Sequence, residues 1–127
     1  MMRRFAILLH TGQGQDHYDL LLEPPAVSPD AALATWQLDE SLVTMAIGES
    51  QRGQKLPDHR RVYLEYEGPV SEGRGEVQRV AAGEYTLLEQ HDGMWRIKLP
   101  AVAASAIFRL HRDGEATSNA WIVTRET

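Results

Sequence analysis

The chain lacks cysteine entirely, since none occurs among its 127 residues. Disulfide bonds and thiolate zinc sites are therefore excluded, and any bound metal must be held by histidine, carboxylate or water. Long apolar runs are also missing, because the run at residues 5–9 ends at His10 and is too short for a signal peptide or a membrane span. These absences predict a cytoplasmic protein with no membrane partner.

Basic residues are outnumbered, with 13 lysines and arginines against 18 aspartates and glutamates and a formal net charge of −5. A net acidic surface argues against broad, non-specific binding to a nucleic-acid backbone, which relies on positive charge. Much of the positive charge that is present lies in residues 51–61, which include Arg52, Lys55 and Arg61 around His59. Such a run is typical of a solvated loop, and it leaves a locally basic pocket open.

Short strand signals recur between glycine, proline and aspartate residues, which is the pattern of an antiparallel sheet and not of alternating strands and helices. The sequence predicts an all-β fold, a small antiparallel β-barrel with short helical turns, in a single domain spanning residues 1–127. The predicted strands are 5–10, 18–23, 34–38, 43–47, 61–66, 75–80, 83–89, 94–99, 106–111 and 120–124. Turn residues 91–93 and 112–114 predict two hairpins.

The most informative segment contains His10 and, seven residues later, a histidine and an aspartate within a strand-like run. Side chains alternate along a strand, so His17, Asp19 and Leu21 are expected on one face. If residues 11–15 fold back as a hairpin, His10 joins this face as a third ligand. The three residues would form a mixed nitrogen and oxygen site suited to manganese, iron or zinc.

A second polar face is expected on the predicted strand 61–66. His59, Arg61 and Tyr63 alternate there with apolar residues, and arginine, protonated histidine and a phenol are all donors to phosphoryl oxygens. The alternative is that Arg61 and Glu65 form a surface ion pair while Tyr63 covers one end of the barrel.

These segments together resemble a known family, the 3′-phosphoesterase domain found at the amino end of bacterial DNA ligase D and as stand-alone proteins. Residues 17–23, His-Tyr-Asp-Leu-Leu-Leu-Glu, are similar to the family segment His-Tyr-Asp-(Phe/Leu)-Arg-Leu-Glu, which follows a strand ending in histidine. Residues 35–38, Thr-Trp-Gln-Leu, resemble its Ser-Trp-Ala-Val. Residues 58–68 resemble its Asp-His-Pro-Leu-Glu-Tyr-x-x-Phe-Glu-Gly, and residues 70–76 are similar to its Ile-Pro-Glu-Gly-x-Tyr-Gly-x-Gly. Residues 107–110 and 121–123 resemble its last two strands, so the likeness covers most of the chain.

The resemblance implies a function for both polar faces. It implies that a divalent cation, usually manganese with zinc as an alternative, is held by His10, His17 and Asp19, and that His59 and Tyr63 act at the scissile phosphate. The implied reaction removes a 3′-phosphate or a 3′-terminal ribonucleoside from a DNA strand during repair. The product is a 3′-hydroxyl that a separate ligase or polymerase can use.

Two departures from the family pattern affect its phosphate-binding arginines. Leu21 stands where the family has an arginine two residues after the aspartate, on the face expected to carry the metal. A second family arginine aligns near Gln51. Arg52 and Lys55 are candidate substitutes, and Arg61 is a third candidate for phosphate binding. Loss of a bidentate phosphate contact predicts a weakened enzyme.

Two other functions are compatible with the residues. One is a module of the same fold that binds phosphate ends or a partner protein without turnover. The other is an iron-dependent oxygenase in which His17, Asp19 and a distal histidine such as His111 form a facial triad. That class needs a larger barrel to hold a cosubstrate, which makes it the weaker alternative.

Overall fold

The computed structural model describes residues 3–24 and 31–127, and it confirms the all-β prediction. The strands are β1 (Arg3–Thr11), β2 (His17–Leu22), β3 (Leu33–Leu38), β4 (Ser50–His59), β5 (Gly68–Pro69), β6 (Glu76–His91), β7 (Met94–Lys98), β8 (Ile107–Arg112) and β9 (Ala120–Arg125). Short 3-10 helices are formed by Leu42–Thr44 and Arg61–Leu64. Within the described ranges, no helix has the length and apolar character needed to cross a membrane.

All neighbouring strands are antiparallel, in the order β1-β2-β3-β4-β9-β8-β7-β6-β5. A further antiparallel pairing between β1 and β6 closes the sheet into a ring of eight strands, with β5 attached outside the ring to β6. Closure gives β1 a neighbouring strand on each side, while β6 pairs with β1 through residues 76–85 and with β7 through residues 86–91. Both predicted hairpins are confirmed as the β6–β7 and β8–β9 pairs.

The main core fills the inside of the ring, where Trp36 is fully buried at the centre. Its indole makes edge contacts with Trp95 and Trp121 at ring-centroid distances of 5.3 and 5.5 Å. Other members of this core are Phe5, Ile7, Leu20, Leu22, Leu38, Tyr85, Ile97, Phe108, Leu110 and Val123. These residues occupy alternate positions on their strands, as expected for a sheet with one face in the core.

A smaller apolar cluster lies on the outer face of β1, β2 and β3. Its buried members are Ala6, Leu8, Leu21, Leu33, Leu64 and Val77. The second 3-10 helix covers this cluster by inserting Leu64, which is only 3% exposed. The same outer face continues at every second residue of each strand. It carries His10 after Leu8 on β1, and Asp19 and His17 before Leu21 on β2. The helix therefore covers one part of the outer face and leaves the polar part beside it open.

Two predictions about the segment 51–66 were wrong. The basic residues 51–59 belong to β4, which pairs with β3 on one side and β9 on the other, because backbone pairing outweighs the polar composition. The predicted strand 61–66 is instead a 3-10 helix, in which Tyr63 N–H bonds to the Arg60 carbonyl at 3.1 Å. Val62 is consequently 53% exposed. The alternation of polar and apolar residues in this segment therefore did not indicate a strand with one buried face.

Other boundaries also differ from prediction. The strand expected at 43–47 is the 3-10 helix Leu42–Thr44, which begins after Ser41, whose hydroxyl accepts a hydrogen bond from Val43 N–H at 3.2 Å. The two strands expected at 75–80 and 83–89 are the single strand β6, which continues through Gly83 and pairs there with Phe5. The length of β6 allows it to pair with both β1 and β7.

Candidate metal centre

The β1–β2 hairpin brings the three candidate ligands together, as the sequence predicted. In its register His10 lies opposite His17 and Leu8 lies opposite Asp19. Since these positions share the outer face, both imidazoles and the carboxylate project to the same side of the sheet. The chain reverses direction through residues 12–16, where Gly12 and Gly14 have φ angles of +80° and +69°.

The side chains of His10, His17 and Asp19 form a compact group whose candidate ligand atoms all lie within 4.8 Å of one another. His17 Nε2 is 3.3 Å from Asp19 Oδ1, and His10 Nδ1 is 3.8 Å from Asp19 Oδ2. The two imidazole rings meet edge to face with their centroids 4.9 Å apart. Two nitrogens and a carboxylate in this arrangement are a donor set that suits zinc, manganese or iron.

Backbone carbonyls fix the tautomers of both imidazoles. His10 Nε2 lies 2.6 Å from the carbonyl oxygen of Arg74, and His17 Nδ1 lies 3.4 Å from that of Gln15. A carbonyl only accepts, so these nitrogens carry protons, and the other nitrogen of each ring, which faces Asp19, is the atom that would bind a metal. A histidine that donates its second N–H to a carbonyl is the usual arrangement of a metal ligand.

Asp19 is buried, with 3% of its surface exposed, and its Oδ1 atom makes no hydrogen bond. Burial raises the pKa of this carboxyl group, while His17, His59 and His10 act in the opposite direction. A buried carboxylate oxygen without a hydrogen bond is costly, and a divalent cation between the three side chains would satisfy it. The site therefore fits a metal through its orphan oxygen as well as through its donor set.

Asp19→Asn is expected to raise the stability of the metal-free protein at neutral pH by about 1 kcal/mol, or about 4 °C in Tm, because the amide keeps the shape and removes a buried charge. Since the pKa of Asp19 is raised, the wild-type penalty is present above that pKa and disappears as the pH falls through it. The stability difference between the variants should therefore close on acidification. Thermal unfolding in a chelator over a pH series measures both effects.

Metal should reverse this order of stability. At a manganese concentration near 100 times Kd the wild type gains about 2.7 kcal/mol, whereas Asp19→Asn gains little. The exposed Asp16 offers a matched control, since Asp16→Asn should behave as wild type in every condition. An Asp19→Asn protein that is less stable than wild type without metal would contradict the buried-charge penalty, and one that manganese stabilises as much as wild type would contradict the ligand role.

The metal group lies at one side of a cavity of about 470 Å³. The lining residues are Leu8, His10, Gln13, His17, Asp19, Gln37, Leu56, Asp58, His59, Arg60, Tyr63, Val70, Arg74 and Val77. His59, at the end of β4, and Tyr63, in the second 3-10 helix, line it with a ring-centroid separation of 6.1 Å. His59 Nδ1 donates to the Pro57 carbonyl at 3.1 Å, so Nε2 carries the lone pair.

The three predicted phosphate-binding residues are not among those that line the cavity. Arg52 has a side chain that is 77% exposed and paired with Asp113. Lys55 lies over the Trp36 ring at 5.2 Å, because alternation along β4 directs it to the inner side of the ring. Arg61 pairs with Glu23. His111, the distal ligand of the oxygenase alternative, lies on β8 and does not line the cavity either.

Two arginines that the sequence did not single out do line the cavity. Arg60 stands next to the predicted catalytic histidine, with its guanidinium carbon 5.7 Å from the centre of the Tyr63 ring. Arg74 belongs to a turn between β5 and β6, and its carbonyl orients His10. The neighbouring pair of glycines around Arg74 was a signal of a tight turn, but no local pattern connects that turn with His10.

Residues 71–75 are held against the end of β1 by a close backbone approach. Gly75 has a φ of +84°, and a Cβ atom at this position would lie 2.1 Å from the Thr11 carbonyl oxygen. Only glycine fits this approach, which fixes the Arg74 carbonyl beside His10.

Comparison of the sequence with models of known protein families and with curated proteins finds no match.

Proposed function

We propose that the protein is a metal-dependent phosphoesterase that removes a 3′-phosphate or a 3′-terminal ribonucleoside from DNA ends during repair, in the manner of the DNA ligase D 3′-phosphoesterase domain. One observation carries the proposal: the His10, His17 and Asp19 group opens into the same cavity as His59 and Tyr63. The motif resemblance from residues 10 to 68 supports the same assignment.

When bound, a divalent cation held by His10, His17 and Asp19 would act as a Lewis acid on phosphoryl oxygens. His59 supplies proton transfer, because its Nε2 atom is free to accept a proton while Nδ1 is held by the Pro57 carbonyl. The phenol of Tyr63 can donate a hydrogen bond to an equatorial phosphoryl oxygen. The chain thus provides an acid–base group and a neutral donor on the side of the cavity formed by residues 57–63.

The proposed substrate is a DNA end and not an extended duplex. A net charge of −5 disfavours long backbone contacts, whereas a single terminal phosphate needs only a few local donors. A separate ligase or polymerase would use the 3′-hydroxyl that is formed, and we place this activity in the cytoplasm. Manganese is the proposed cofactor, with zinc as the alternative for the same donors.

The test is to incubate the purified protein with manganese and a primer–template that ends in a 3′-phosphate or in one ribonucleotide. Wild type should release the terminal group, and His59→Ala should reduce the rate by about 100-fold or more, as expected for loss of an acid–base residue. His91 is a matched control, because its side chain is 61% exposed and lies outside the cavity. No release by wild type, or equal rates for wild type and His59→Ala, would reject the catalytic proposal.

A second candidate function, recognition of phosphate ends without turnover, is favoured by one observation. Leu21 replaces the family arginine and is completely buried under the second 3-10 helix. A protein of this type would bind manganese and an oligonucleotide with a 3′-phosphate but release nothing. Binding measured beside the release assay therefore separates the two functions.

A further inference from the structure

We infer that Arg60 and Arg74 are the phosphate-binding residues of the cavity, in place of the arginine that is missing at position 21. The inference rests on the proposed function and deepens it, because it assigns the groups that hold the substrate's anionic end. Both residues lie within segments that resemble the family, but Arg60 stands at the position of the family's proline and Arg74 at a variable position, so the resemblance assigns a role to neither. Their assignment comes from the charges and contacts around the cavity.

The pairing of arginines with carboxylates separates these two residues from most others. Arginines that form ion pairs with aspartate or glutamate are Arg4, Arg52, Arg61, Arg96, Arg109 and Arg112. Among the described residues, no carboxylate pairs with Arg60 or Arg74. Of the cavity's own carboxylates, Asp58 pairs with Lys55 and Asp19 lies beside His10 and His17, so neither neutralises an arginine. Two arginines that line the cavity are therefore left without a carboxylate partner.

Arg74 is held in place from both ends. Its backbone is fixed by the approach of Gly75 to Thr11, and its guanidinium donates from Nε to the Ser71 carbonyl and from Nη2 to the Ser71 hydroxyl, both at 2.9 Å. Those two bonds leave other N–H groups of the fork available for an anion. Arg74 therefore has two roles: its side chain binds phosphate, and its backbone carbonyl orients the metal ligand His10.

Arg60 is oriented by an aromatic face. Its guanidinium lies over the ring of Tyr63, which itself lines the cavity, and the residue directly follows His59 in the chain. A cation–π contact of this kind uses no N–H hydrogen bond, so the N–H groups of Arg60 remain available to donate. Arg60 thus approaches the cavity from the side of the proposed acid–base residue, and Arg74 from the side of the metal ligand His10.

The experiment measures phosphate binding and turnover separately, at saturating manganese. Inorganic phosphate is the probe, and the broadening of its phosphorus NMR signal by protein-bound manganese reports its affinity near the metal. Arg60→Gln and Arg74→Gln should each weaken phosphate binding about tenfold and raise KM for the 3′-phosphate primer by a similar factor. Affinity for manganese should stay within about twofold of wild type, because the carbonyl that orients His10 belongs to the backbone.

Arg109→Gln is the matched control, since Arg109 is a half-exposed arginine on β8 outside the cavity, and it should change neither quantity. If both arginine variants bind phosphate as tightly as wild type, the inference is overturned. Turnover by wild type in that case would still support the catalytic proposal. Loss of phosphate binding in the variants of a wild-type protein that does not turn over would support the inference and overturn the catalytic proposal. No phosphate binding by wild type would overturn the inference.

Discussion

Leu21→Arg is expected to lower the free energy of unfolding by about 3–5 kcal/mol, instead of restoring the family's phosphate contact, because it would bury a charge without a partner. Leu21 has no exposed surface and packs with Ala6, Leu8, Leu33 and Leu64. A guanidinium there must either lose its hydration or displace the second 3-10 helix, which carries Tyr63. Chemical denaturation of the variant measures the loss directly.

The chain offers the same substitution at an exposed leucine. Leu88, on β6, is 41% exposed, and Leu88→Arg should change stability by less than about 0.5 kcal/mol. A second comparison is Leu21→Met, which conserves volume and should cost less than about 1.5 kcal/mol. A Leu21→Arg protein as stable as the Leu88→Arg protein would show that a side chain at position 21 can reach solvent, which contradicts the burial of Leu21 under the second 3-10 helix.

Gly75→Ala is expected to remove both stability and the metal site. The new Cβ atom would stand 2.1 Å from the Thr11 carbonyl, and the φ of +84° is itself unfavourable for alanine. We expect a loss of about 3 kcal/mol in unfolding free energy, from strain and from displacement of residues 71–75. Because the Arg74 carbonyl would leave His10, manganese affinity should also fall by about 10- to 100-fold.

A substitution at Gly73 separates the effect of the unfavourable φ angle from the effect of displacing residues 71–75. The φ of +69° at Gly73 is similar, but no atom lies within 4 Å of a Cβ at that position, so Gly73→Ala carries the conformational cost without the clash. It should lose about 1 kcal/mol and keep the manganese affinity of wild type. Calorimetric titration of both variants with manganese decides the matter. Equal affinities in Gly75→Ala and wild type would show that the approach of this turn to β1 does not orient His10.

The metal group was predictable because it is local. His10, His17 and Asp19 lie on two strands joined by a short glycine-containing hairpin, and a side-chain period of two decides which face they share. The same reasoning failed for residues 61–66, where Tyr63 is on a 3-10 helix although polar and apolar residues alternate. Alternation over six residues cannot distinguish a strand from a tight helix when packing of one residue, Leu64, decides the outcome.

The sequence by itself determined the all-β class, the two hairpins and the cluster of three ligands, since each depends on turn chemistry and alternation within a few residues. Only the tertiary structure decided which cations reach the site. Arg74 is 64 residues from His10, and its position depends on the pairing of β6 with β1 and on the contact between Gly75 and Thr11. Arg52 and Lys55 were assigned from their place in the chain, but pairing of β4 with β3 and β9 turned them toward other partners. Contacts of this kind arise from closure of the sheet, which no local pattern encodes.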